Sequence, residues 1–170
     1  MGFMLGMGRN KPMLIAKFDG ACEPFNPGGH AACAALIERD GVEVHRESQY
    51  LGFGAGMTNN VAEFKGLMLI LRWFEKLEPK EPMVIIGDSL IVIRRLTGKA
   101  KHPPVGVCAP LAQDCVLAAY RWRNLLTYEW QPREANEECD AMCALEIDEK
   151  MLEHQVANEE QAADEKSFSD

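Results

Sequence analysis

Residues 83–98 read MVIIGDSLIVIRRLTG. The run MVIIG is apolar without a break, the pattern of a short strand buried on both faces. Ser89 opens a helical stretch, SLIVIRRLTG, and Gly98 closes it. Asp88 stands at the junction, and open α/β sheets bind their ligands at such strand carboxyl ends. A helix N-cap is the alternative use of an aspartate there. A buried strand feeding directly into a helix predicts an α/β fold.

On the N-terminal side, residues 13–19 (MLIAKFD) read as a strand with Asp19 at its end, followed by turn chemistry in GACEPFNPGG. Residues 30–38 and 42–50 flank Asp40-Gly41, which predicts a β-hairpin. Thr58 or Asn59 is suited to cap a long helix with Glu63 in its early turns. Leu67, Ile70, Leu71 and Phe74 form its buried stripe, and Pro79 and Pro82 end it. On the C-terminal side, a loop over residues 99–109 leads to Pro110 in the first turn of a helix reaching about Asn124. Residues 125–131 (LLTYEWQ) form a fifth strand, Pro132 breaks it, and a last helix begins near Asn136. The order predicts a five-stranded mixed sheet, three antiparallel strands first and then strands alternating with helices, flanked by helices. Residues 13–154 are read as one domain, 1–12 as a flexible N-terminal segment and 155–170 as an acidic, disordered tail.

The chain has 170 residues and a formal net charge of −8, which argues against a nucleic-acid binder. The distribution weakens that objection. Residues 148–170 carry −6 and leave −2 for the rest, and Arg94, Arg95, Lys99, Lys101 and His102 cluster within nine positions. The six cysteines include no CxxC pair and no neighbouring histidine, so zinc is not expected and the thiols are read as reduced. No run is long and apolar enough for a membrane span, and residues 1–12 lack the basic start of a signal peptide. A cytoplasmic location and a monomer are expected. Met1, Met4, Met7 and Met13 leave the start open.

Four acids stand at separate places in this order: Asp19, Glu63, Asp88 and Asp140. Carboxylates that converge repel one another unless a cation neutralises them, and hard oxygen ligands select Mg²⁺ or Mn²⁺. Each acid also has an ordinary use. Asp19 precedes glycine as in a turn, Glu63 complements a helix N-terminus, and Asp140 suits a solvated helix surface.

The segments FDGACEPFNPGG, TNNVAEFKGLMLIL, IIGDSLIVIRRL and PREANEECDAM occur in the order and spacing of the type 1 ribonucleases H, and the chain resembles that family from about residue 13 to 147. The resemblance implies the ribonuclease H fold and hydrolysis of the RNA strand of RNA–DNA hybrids, giving 5′-phosphate and 3′-hydroxyl ends. It implies two Mg²⁺ ions, replaceable by Mn²⁺, on Asp19, Glu63, Asp88 and Asp140, with Asp19 bridging. It also implies substrate contacts by Asn26, Thr58, Asn59, Ser89, Arg133 and Asn136. Activity on double-stranded RNA is left open.

The chain departs from the family in four places. PREAN carries Arg133 and Glu134 where many members have a mobile histidine. Gly56 replaces a basic residue, Leu90 stands where a glutamine often follows Asp-Ser, and the long basic protrusion is missing. His30, His45, His102 and His154 match no catalytic position, and Trp122 and Trp130 are read as core. The competing readings are a non-catalytic binder of hybrid or double-stranded RNA, and another nuclease on the same fold.

Overall fold

The computed structural model describes residues 13–167. Its elements are β1 (Leu14–Glu23), β2 (Gly28–Arg39), β3 (Val42–Gly54), α1 (Asn59–Lys76), β4 (Met83–Gly87), α2 (Leu90–Leu96), α3 (Ala109–Arg121), β5 (Leu126–Trp130) and α4 (Glu137–Ser167). Short 3₁₀ turns at Gly106–Cys108 and Arg133–Ala135 precede α3 and α4. The sheet runs β3-β2-β1-β4-β5. β1, β2 and β3 are antiparallel neighbours, while β4 and β5 run parallel to β1. This is the mixed sheet expected from the sequence.

Alternation along β2 separates two cores. Cys33, Ala35 and Ile37 point to one face and join Phe18, Phe64, Leu67, Ile70 and Phe74 beneath α1, α2 and α3. Ala32, Ala34 and Leu36 point to the other and meet Cys139, Cys143 and Ile147 of α4. Asp40 and Gly41 take positive φ (51° and 78°), as a tight hairpin of right-handed strands requires. All six cysteines are free thiols, five of them buried.

Three expectations are corrected. Asp19 lies in the middle of β1 rather than at its end, because pairing with β2 continues from Leu14↔Arg39 to Glu23↔His30. The Gly20-Ala21-Cys22 stretch is therefore strand, and the turn is confined to residues 24–27. The acidic segment is helical up to Ser167 rather than disordered from 155. Residues 155–167 are mostly strong helix formers, and no Gly or Pro occurs after Pro132. The flexible segment expected at 1–12 and the last part of the tail, 168–170, lie outside the described residues.

Two glycines set the distance between β1 and α1. A Cβ on Gly20 would collide with the backbone of Ala62 and Glu63, and one on Gly66 would come 2.6 Å from the Asp19 carbonyl oxygen. Neither collision can be relieved by turning a side chain. Gly20→Ala is expected to destabilise the protein by about 1–3 kcal/mol or more through overpacking. It should also lower activity, because it pushes Glu63 away from Asp19. Denaturant unfolding and a cleavage assay check both.

Candidate active site

Asp19 projects from mid-β1, Glu63 from the second turn of α1, and Asp88 from the link between β4 and α2. One carboxylate oxygen from each lies within 4.8 Å of the others. No histidine or cysteine joins them among the described residues. Glu63 is too far into α1 for the first-turn dipole role, and the caps fall elsewhere: Thr58 Oγ1 accepts from the Val61 N–H of α1 at 3.1 Å. Ser89, not Asp88, caps α2 by accepting from the Val92 N–H at 3.5 Å. The convergence thus has no structural use that the surrounding backbone explains.

Without a cation the site is electrostatically strained. Burial, then the charge of Asp88, pushes the Asp19 carboxyl up to about 7, although the Gly20 N–H donates to it at 2.8 Å. Burial, then Asp19 and Asp88, pushes Glu63 up to about 9. Asp88 is also raised, chiefly by burial. Glu63 Oε2 and Asp88 Oδ1 are enclosed and accept no hydrogen bond. Unpartnered buried oxygens are costly. A divalent cation with hard-oxygen preference is what this donor set fits.

Asp140, in the first turn of α4, stands apart from the three and is held by the Arg133 guanidinium, which donates to its Oδ1. The structure thus brings three of the four expected acids together and pairs the fourth with the residue in the histidine position. Asn26 and Asn59 are brought together, since the Asn59 N–H donates to Asn26 Oδ1 at 3.0 Å beside the Thr58 cap. Asn136 is 2% exposed, and its Nδ2 donates to the Phe18 carbonyl at 2.7 Å. It pins the start of α4 to the residue before Asp19.

No family model matches the chain. It is 35% identical over 120 residues to the bifunctional protein Rv2228c of Mycobacterium tuberculosis, covering 69% of this chain and 31% of that protein. The chain thus spans about a third of the length of the curated relatives it matches. The solved N-terminal RNase H domain of Rv2228c superposes with a TM-score of 0.68 at 24% identity, over 84% of this chain and 99% of that one. RNase H1 of the halophilic archaeon Halobacterium salinarum gives a TM-score of 0.66 at 25% identity, covering 81% and 98%. LC11-RNase H1, solved in complex with an RNA/DNA hybrid, gives 0.69 at 24%, covering 81% and 99%. This is a type 1 ribonuclease H-like chain.

Within this ribonuclease H-like site, one contact was not legible in the sequence. Trp130, at the end of β5, is 45% exposed rather than core, and its indole N–H donates to the Asp88 carbonyl oxygen at 2.8 Å. The bond fixes the backbone from which the Asp88 carboxylate projects. Only its place opposite Gly87 in the β4–β5 register would have signalled it. Trp130→Phe is expected to fold normally and to lose roughly 10- to 100-fold in divalent-metal affinity, the usual cost of removing a group that orients a ligand. Isothermal titration with Mn²⁺ measures it. Trp122 is partly buried against Phe74, as expected of core.

Proposed function

We propose that this protein is an endoribonuclease that hydrolyses the RNA strand of RNA–DNA hybrids, leaving 5′-phosphate and 3′-hydroxyl ends. The observation that carries the reading is the convergence of Asp19, Glu63 and Asp88 with two unpartnered buried oxygens, in a chain that shares its fold with an RNase H1 solved on such a hybrid.

Asp19, Glu63 and Asp88, joined by Asp140, would hold two divalent ions, Mg²⁺ or Mn²⁺. When bound, such ions lower the pKa of an attacking water and neutralise charge on the departing 3′ oxygen. The chain's own residues supply the rest. Asp19, central in β1 and within reach of Glu63 and Asp88, would be the ligand that the two ions share. Asp140 becomes free to serve when Arg133 lets go of it. The released guanidinium then meets the cleaved phosphate, pairing its planar fork with two of the phosphate oxygens. The Thr58 hydroxyl, which can still donate while it accepts from the Val61 N–H, sits at the positive end of α1, where a backbone phosphate is favoured. Asn26 and Asn59 offer amides that can both donate to and accept from a 2′ hydroxyl. Ser89 is placed beside Asp88 for a further substrate contact.

The test is cleavage of a labelled hybrid with Mg²⁺ or Mn²⁺, beside single-stranded RNA, double-stranded RNA and double-stranded DNA, with EDTA as control. Hybrid-selective cutting that EDTA abolishes supports the reading. A folded protein that binds hybrid and cuts nothing with either metal is instead a binding module. Preference for branched or duplex DNA would make it another nuclease of this fold.

A further inference from the structure

On the face of the sheet that carries α1, a groove of about 610 Å³ opens between α1, α2 and the loop after α2. Its floor is apolar: Leu90, Ile91 and Val105 line it and are 44%, 52% and 76% exposed. Arg94, Lys99 and Lys101 edge it. A phosphate backbone would match the basic edge but not the apolar floor.

The opposite face carries the complement. There α4 lays Cys139, Cys143 and Ile147 on the sheet, with Met151 packed beside them and His154 against His30, and turns its other side outward. Leu145, Leu152 and Val156 lie seven and four residues apart, so at 3.6 residues per turn they form one line down the helix. They are 61%, 61% and 46% exposed. Glu149, Glu153, Glu159 and Glu160, all exposed, accompany this line and outnumber the one base among them, Lys150, which pairs with Glu153 at 2.6 Å. An apolar stripe with acidic flanks is the counterpart of an apolar groove with basic edges.

We propose that this groove seats the Leu152–Val156 stretch of α4 from a second copy of the chain. The molecule cannot satisfy the contact alone. α4 packs on the β2 face bearing Ala32, Ala34 and Leu36, and the groove lies on the face bearing Cys33, Ala35 and Ile37. The contact joins unlike surfaces, so it closes as a pair if two chains exchange helices reciprocally. The monomer expected from the sequence gives way to a salt-sensitive self-association.

The proposal concerns assembly and stands apart from the catalytic reading. Sedimentation velocity on the full chain tests it, between about 1 and 100 µM, where modest interfaces associate. The wild type is expected to move from the mass of one chain toward twice that. Arg94→Glu with Lys101→Glu, and separately Glu149→Lys with Glu153→Lys, should each abolish association while circular dichroism stays unchanged. Mixing the two variants should restore it, which neither misfolding nor general charge repulsion would do. Leu152→Ser with Val156→Ser should stay at the mass of one chain without any change of charge. A wild type that never exceeds one chain overturns the proposal. So does association that survives both charge reversals. A wild type of one-chain mass, with hybrid affinity lost only in the Arg94/Lys101 variant, would make the groove a nucleic-acid surface instead.

Discussion

Asp88→Asn should fold as the wild type does and cleave no hybrid. The substitution keeps the size and removes the charge. In the metal-free protein it mimics the protonated form toward which burial already drives Asp88, so stability in EDTA should hold or rise. Ser89 remains to cap α2. The loss is of a direct cation ligand, and it should exceed the roughly 100-fold that follows from removing an outer partner. Steady-state cleavage with Mg²⁺, beside thermal melts in EDTA, reads both halves. Mg²⁺-dependent turnover near the wild-type rate would remove Asp88 from the site.

Glu63→Gln carries the second large effect, and its sign depends on pH. In the folded, metal-free protein the Glu63 carboxyl is raised to about 9, against about 4.3 for an unfolded glutamate. The folded state thus holds a proton that the unfolded chain has given up. Its contribution to stability is fully present below about pH 4 and is lost as pH rises, by about 1.4 kcal/mol per pH unit, until the folded carboxyl ionises. Asp19 adds a similar loss that ends near 7. Glutamine does not titrate. In EDTA the variant should therefore melt well above the wild type at pH 8, and the gap should close toward pH 5. Added Mg²⁺ or Mn²⁺ should raise the wild type at pH 8 and leave the variant nearly unmoved, because a carboxylate ligand must be deprotonated to bind. Cleavage by the variant should be lost. Equal melting temperatures at pH 8 in EDTA would show that Glu63 is not held neutral, and the picture of a strained acidic centre would fail.

The architecture was legible where local signals suffice. MVIIG announced a buried strand, Asp40-Gly41 a hairpin, and Thr58 the start of α1. The four acids were legible through the motifs around them, and three of them meet as that reading implies. What stayed hidden depended on distant partners. Gly20 looked like a turn glycine, but it serves the close approach of α1, a requirement set by residues more than forty positions away. Asp19 looked terminal because GAC resembles the start of a turn, whereas pairing with β2 carries the strand through it. Asn136 gave no sign of burial, since an asparagine before a helix is usually a solvated cap. The tail was read from its charge, which suggests disorder, while its helix propensity pointed the other way.

The division into two cores has a consequence for the fourth acid. Asp19, Glu63 and Asp88 are anchored on the large core under α1, whereas Arg133 and Asp140 flank the start of α4, whose core has only three buried strand residues and three of its own. Regions with less buried apolar surface open more often, and they open without the rest. A transient release of α4 would subtract Asp140 and its arginine from the site and leave the other three carboxylates where they are. The fourth ligand of the proposed centre would then come and go while the domain stays folded, and amide exchange along α4 would report how often that happens.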